Sequence, residues 1–131
     1  MMKVETAINV MLGIVGAVIV FHLSIVLKII PYDIAWGGRL KNDPEMYVFE
    51  SISIIVNLFL GLIIMMKGNY ITPLIPIKVV NGVLWVFLVL FILNTFANLF
   101  SVTDFEKLLT ILTFISAILI WFILRGKEAT T

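Results

Sequence analysis

Long apolar runs alternate with short polar segments along the whole chain. The apolar runs cover about residues 7–30, 44–66, 76–98 and 104–124, and the longest polar segment is a loop at residues 31–43. A helix of about 20 apolar residues is long enough to cross the hydrocarbon core of a bilayer. The pattern therefore predicts an all-α integral membrane protein that forms one domain of four transmembrane helices. Because the connections are short, we expect an antiparallel, up-down bundle.

Local signals predict where the helices begin and end. Pro31 should stop the first helix at Ile30, because proline disfavours helical geometry in the preceding residue. Asp43 fits the N-cap of the second helix, with Pro44 as its first residue. A Thr-x-x-Glu capping box at residues 103–106 should open the fourth helix.

The second apolar run continues to Met66 and is followed by two signals for a helix end. Lys67 supplies a cation at the negative end of the helix, and Gly68 supplies a stop. Residues 70–76 contain two prolines and are expected to form a loop or an interfacial turn.

The composition narrows the class of protein. The chain has 131 residues, of which 62% are hydrophobic and 13% are charged, whereas soluble domains are about half apolar and a quarter charged. A domain of this size cannot bury so much apolar surface in its own core, so lipid must cover part of it. The net charge of +1 provides no basic field for nucleic acid. The absence of cysteine excludes disulfides, thiolate catalysis and cysteine-ligated metal centres.

The basic residues predict which side of the membrane each loop faces. With four spans, both termini and the loop after the second helix share one side. Five basic residues lie on that side and four on the other: Lys3, Lys67, Lys78, Arg125 and Lys127, against Lys28, Arg39, Lys41 and Lys107. The excess predicts cytoplasmic termini, with the loop at residues 31–43 outside.

Polar residues on the second helix follow a helical spacing. Glu50, Ser53, Asn57 and Gly61 recur at steps of three and four, which places them in one stripe along the helix. Lipid offers these groups no hydrogen-bond partners, so the stripe should face other helices.

Most polar candidates belong to the half of the membrane that lies next to the first loop. His22 lies eight residues before the predicted helix end, or ~12 Å below that loop. Connectivity places the following side chains in the same half: His22, Glu50, Asn94, Asn98 and Glu106. The opposite half is expected to be nearly bare of ionisable groups.

Glu50 and His22 are the leading candidates for a site. An acid inside an apolar span costs several kcal/mol unless it is paired, hydrated or neutral. Glu50 could therefore be a proton carrier, a cation ligand or a general base, or a structural acid paired with Arg39 or Lys41. His22 could relay protons or form an acid–base pair with Glu50, or be a neutral histidine bonded between helices. A single histidine builds no convincing metal site and excludes a bis-histidine haem.

The first loop contains a short motif, Trp36-Gly37-Gly38-Arg39. The glycines could turn backbone N–H groups toward an anion, and Arg39 could bind a phosphate or carboxylate. The alternative is an interfacial turn anchored by Trp36. Glu106 is interpreted as part of its capping box, and Asn94 and Asn98 as contacts between helices or secondary ligand contacts.

Three classes of function remain open. The first is binding or assisted transport of a small solute, cation or lipid headgroup that meets Arg39, Glu50, His22 and Asn57. The second is a membrane enzyme that acts on a quinone- or isoprenoid-like substrate, with His22 and Glu50 as acid and base, although the sequence leans against an enzyme. The third is an accessory subunit without chemistry of its own.

The expected partners follow from the number of spans. Four helices hardly enclose a path for a solute, so we expect a homo-oligomer or a larger membrane complex. The face of the first helix that carries Gly13 and Gly16 is a candidate contact surface. The sequence identifies no cofactor.

Overall fold

The computed structural model describes residues 3–32, 41–100 and 104–126. Within these ranges the chain is helical, without β-strands, as predicted. The four helices are α1 (Val4–Val26), α2 (Asp43–Lys67), α3 (Ile77–Leu99) and α4 (Asp104–Arg125). Each is long and apolar enough to cross a membrane.

The helices pack as a closed ring. α3 packs most extensively along α4, α1 packs along α2, and further contacts join α2 to α3 and α1 to α4. Only 22–28% of each apolar helical window is buried, so most apolar side chains face outward. Outward-facing examples include Val20, Ile55 and Leu93, which are 62%, 65% and 59% exposed.

Contacts at the helix ends show which ends lie together. Phe21 near the end of α1 stacks on Phe105 at the start of α4. At the other end of the bundle, a Cβ atom on Gly126 after α4 would lie 2.1 Å from the side chain of Val4 in α1. We call these the loop end and the terminal end of the bundle.

The buried apolar side chains form two clusters of unequal size. The larger one lies toward the terminal end and includes Met11 of α1, Ile63 of α2, Leu84 of α3 and Ile120 of α4. The smaller one lies at the loop end, where Ile25 and Met46 are buried against partly buried Phe21, Ile30 and Tyr32. The main core is therefore at the terminal end.

The first helix ends at Val26, one turn earlier than Pro31 predicts. Lys28 adopts the left-handed conformation, with φ of 62°. Its N–H donates to the carbonyl of Ile25, and that of Ile29 donates to Ser24. This is the Schellman pattern, which closes a helix C-terminus without a proline. The prediction that the helix continues to Ile30 was wrong. The left-handed position after a helix is usually a glycine, and here a lysine occupies it, so the sequence contains no signal for the helix end.

The second helix differs from its predicted ends by one residue at each terminus. The N-cap is Asn42, whose side-chain oxygen accepts the N–H of Glu45 at 2.9 Å, whereas Asp43 is already helical. At the C-terminus the left-handed residue is Asn69, with φ of 62°, and Gly68 keeps a negative φ. In both cases a neighbouring asparagine takes the predicted role. Asn42 replaces Asp43 as the N-cap, and Asn69 replaces Gly68 as the residue that ends the helix.

Candidate functional site

The structure brings His22 and Glu50 together between α1 and α2. His22 Nδ1 is in hydrogen-bond contact with Glu50 Oε2. The Glu50 side chain is 0% exposed and that of His22 is 14% exposed. The two leading candidates from the sequence therefore form one site, and the Glu50 carboxylate is fully buried in it.

Apolar and aromatic side chains surround this pair. The Phe21 ring meets His22 edge-on, with centroids 5.6 Å apart, and stacks on Phe105 at 5.4 Å. Ile25 and Met46, which belong to the same two helices, are each 0% exposed. Charge–charge interactions in such surroundings are weakly screened, so the state of one partner strongly affects the other.

His22 lies closer to the end of its helix than the sequence predicts. His22 is four residues before the end of α1, or ~6 Å along its axis, and not ~12 Å, because α1 ends at Val26. Glu50 is seven residues after the start of α2, or ~10 Å. A polar ligand that enters from the loop end would therefore travel at most about two helical turns to reach the pair.

The hydrogen bond between these side chains needs one proton. Either His22 donates Nδ1–H to the Glu50 carboxylate, or a protonated Glu50 donates to the imidazole nitrogen. A ligand that carries a donor or a positive charge could replace the imidazole on the carboxylate.

The rest of the α2 stripe is only partly turned inward. Ser53 Oγ donates to the Phe49 carbonyl at 2.9 Å, and Asn57 Nδ2 donates to the Ser53 carbonyl at 2.8 Å. Both side chains are half-buried, whereas Glu50 and Gly61 are buried. Ser53 and Asn57 thus form their hydrogen bonds with backbone carbonyls of their own helix, one turn earlier.

The remaining predicted residues divide into three cases. Glu106 lies at the loop end and is 3% exposed, but Thr103 lies outside the described residues, so the capping box stays a prediction. Asn98 is half-buried and Asn94 is exposed. The predicted roles of Trp36 and Arg39 also concern residues outside the described ranges.

The terminal end holds polar groups that sequence reasoning missed. Lys67 is 7% exposed, and its Nζ donates to Asn81 Oδ1 at 2.8 Å. The hydroxyl of Tyr70 donates to Asn9 Oδ1. The expectation that this half is nearly bare of ionisable groups did not include a buried lysine. The available signal in the sequence was a lysine at the end of α2 and an asparagine near the beginning of α3.

A hydroxyl contact joins α3 to α4. Thr95 Oγ1 donates to Thr113 Oγ1 at 3.0 Å, and Thr113 Oγ1 donates to the Leu109 carbonyl at 2.9 Å. Thr110 lies one turn earlier, and its Oγ1 is buried without a hydrogen-bond partner in the described part of the chain.

Comparisons with known proteins add no relative. The chain matches no protein family, no curated protein and no solved structure. Across residues 3–32, 41–100 and 104–126, no three His, Asp or Glu side chains converge to hold a metal ion.

Proposed function

We propose that the chain crosses a membrane four times in alternating directions, with cytoplasmic termini and the loop at residues 31–43 outside. The apolar side chains that face outward along all four helices support insertion. The end of α1 contacts the beginnings of α2 and α4, and the beginning of α1 contacts the end of α4. These contacts support helices that run in alternating directions. The slight excess of basic residues near the termini supports the sidedness.

The protein binds a small solute, a cation or a lipid headgroup at the His22–Glu50 pair, which the ligand reaches from the loop end. The observation that carries this proposal is the complete burial of the Glu50 carboxylate against His22. A buried ion pair contributes little to stability compared with apolar side chains of similar volume. Ionisable residues within a membrane span more often serve binding or proton transfer.

The hydrogen bond of the pair indicates how a ligand could be held. A cationic or hydrogen-bonding ligand would take the place of the imidazole on Glu50. Because the smaller apolar cluster surrounds the pair, less packing must be disturbed to admit a ligand here than in the main core.

A second copy of the chain would complete a path for a transported solute. Gly13 and Gly16 are exposed on α1, and nothing lies within 4 Å of a Cβ atom built on either. This open face supports close approach of another helix.

A second candidate function is that of an accessory subunit, and one observation favours it. The hydroxyls of Ser24, Ser53 and Ser116 each donate to a carbonyl four residues earlier in the same helix. Polar groups satisfied in this way need no ligand. An enzyme that acts on a lipid-soluble substrate would be distinguished by chemical change of the bound molecule.

The test compares ligand-dependent stability of the full chain in detergent for wild type, E50Q and H22Q. Tetraphenylphosphonium, choline and glycerol phosphate serve as probes for a lipophilic cation, a small cation and a headgroup. We expect at least one probe to raise the melting temperature of the wild type. Loss of a hydrogen bond to a charged group costs ~1.5–3 kcal/mol, so E50Q should bind more than about tenfold more weakly.

The matched control is E106Q, which alters a second buried acid at the loop end. It should keep the response to the probe. If no probe stabilises the wild type at any pH, while E50Q and H22Q both lower stability, the accessory-subunit function is correct and the binding proposal is wrong.

A further inference from the structure

Asn94 places an amide on the outward surface of α3, among apolar side chains. Its neighbours Val86, Leu90 and Leu93 are 58%, 45% and 59% exposed. Asn94 itself is exposed, and so is Ala97, one turn later. The five residues recur at steps of three and four, so they lie along one side of the helix, and we call them the Asn94 patch.

The Asn94 amide lies within the depth of the hydrocarbon core of a bilayer. α3 has 23 residues, so it is ~35 Å long, about 5 Å longer than that core is thick. Asn94 is five residues before Leu99, the last residue of α3, or ~7.5 Å along the helix axis. A helix centred in the bilayer therefore holds this amide ~5 Å inside the hydrocarbon, where water is absent.

An amide has more hydrogen-bonding groups than its own helix can satisfy. Asparagine has two N–H donors and an oxygen that accepts two hydrogen bonds. Asn57 of α2 uses one of these groups on its own helix, where Nδ2 donates to the Ser53 carbonyl at 2.8 Å. In the described part of the chain, no hydrogen bond involves the Asn94 side chain. Since lipid offers no partner, the exposed amide is suited to a polar group on another helix outside this chain.

Symmetry favours a second copy of the chain as the source of that polar group. Two copies inserted in the same orientation are related by a twofold axis along the membrane normal, which places equal residues at equal depth. An amide is self-complementary, because an N–H group of each copy can donate to the oxygen of the other. Ala97 is small and lets two helices approach closely. A charged partner would instead have to enter the hydrocarbon, which is costly.

We propose that two copies of the chain associate through their α3 helices at the Asn94 patch. Each Asn94 Nδ2–H group donates to Oδ1 of the other Asn94, and the apolar members of the patch pack around this pair. The surface is separate from the α1 face that carries Gly13 and Gly16, since α1 and α3 lie across the ring of helices from each other. This inference rests on the proposed membrane insertion, but not on ligand binding at the His22–Glu50 pair.

The experiment measures association of the full chain by energy transfer between donor- and acceptor-labelled copies in phosphatidylcholine vesicles. The chain has no cysteine, so one cysteine appended after Thr131 carries the dye. Dilution with lipid gives the dimer dissociation constant. N94L removes the amide and keeps an apolar surface, and it should raise this constant about tenfold, the factor expected for interhelical amide hydrogen bonds. N94Q keeps an amide and should retain most of the affinity.

F96L is the matched control, because Phe96 is also an outward residue of α3, 58% exposed and at nearly the same depth. It lies ~160° around the helix axis from Asn94. It should leave the dissociation constant unchanged. If F96L weakens the dimer as much as N94L, the contact is non-specific apolar packing and the Asn94 pairing is wrong. An unchanged dissociation constant in N94L also overturns it.

Disulfide cross-linking locates the contact while Asn94 stays in place. A97C should form an intermolecular disulfide on oxidation in vesicles, because a twofold axis at Asn94 brings the two Ala97 positions together, whereas F96C should not. Cross-linking of G16C without cross-linking of A97C would assign the contact to α1 and overturn the proposal. Wild type that inserts but stays monomeric at every lipid ratio disproves this inference alone. Wild type that inserts into no vesicle disproves the proposed membrane function.

Discussion

His22 Nδ1 and Glu50 Oε2 share one hydrogen bond across the α1–α2 contact, and the carboxylate that takes part is fully buried. Removing one partner of such a pair leaves the other buried without its counterpart, which costs ~3 kcal/mol or more. We therefore expect H22L and E50L to be destabilised by about this amount each. The double variant H22L/E50L should be at least as stable as the wild type, because two apolar side chains need no polar partner.

This double-mutant cycle is measured by reversible unfolding in mixed micelles. A double variant whose loss of stability equals the sum of the two single losses would show that the two side chains do not act on each other. Binding of the probes should be lost in E50L and in the double variant, whatever their stability, because both lack the carboxylate that the ligand contacts.

Thr110 and Thr113 form a matched pair for testing a buried hydroxyl. Thr110 Oγ1 is buried without a partner in the described part of the chain, whereas Thr113 Oγ1 bonds to Thr95 and to its own helix. Valine has nearly the same shape as threonine and lacks the hydroxyl. T110V should raise the free energy of unfolding by ~1 kcal/mol, and T113V should lower it by a similar amount. Equal effects of the two substitutions would contradict this assignment.

Lys28 should make stability depend on pH at the alkaline end. The hydrogen bond from Lys28 to Asp43, together with the negative charge of Asp43, raises the pKa of Lys28 above its ordinary 10.5. A pKa raised on folding means that this contribution is fully present below the ordinary value. It is lost as the pH rises through the folded value.

The pH effect is measured as the difference in melting temperature between wild type and D43N. The difference should stay constant up to about pH 10 and then decrease. Other lysines and tyrosines titrate in both proteins, so they cancel in this comparison. The effect should be small, because Lys28 is exposed and solvent screens the pair. A difference that grows above pH 10 would contradict the assignment.

Asn69 tests the C-terminus of α2. It is exposed and adopts φ of 62°, a conformation that costs most residues with a Cβ atom ~1–2 kcal/mol. N69A should therefore lower the free energy of unfolding by ~1 kcal/mol, and N69G should not. T72A changes another exposed residue of the same loop, which lacks a positive φ, and should have little effect. A similar loss in N69A and T72A would exclude a conformational cause.

The sequence predicts the four helices because hydropathy is a local property of each segment. It also places His22 and Glu50 in the same half of the bundle, since position along a helix follows from counting residues. Their contact could not be predicted, because it depends on how α1 and α2 are rotated about their axes. The contact was one of several alternatives, and the structure selects it.

The exact ends of the helices were beyond prediction for a different reason. Lys28 and Asn69 occupy left-handed positions that a sequence pattern assigns to glycine. The burial of Lys67 was missed because it depends on α3, which covers a residue that the sequence alone places at an exposed helix end.

The unequal size of the two apolar clusters has a consequence for motion. The free energy of local opening rises with the number of packed apolar side chains that must separate. Around Met11 and Ile120, opening must break the larger cluster, whereas around Ile25 and Met46 it breaks only the smaller one. Backbone amides near His22 should therefore exchange their hydrogens sooner than those near Met11. We therefore expect the helices to separate more readily at the loop end than at the terminal end.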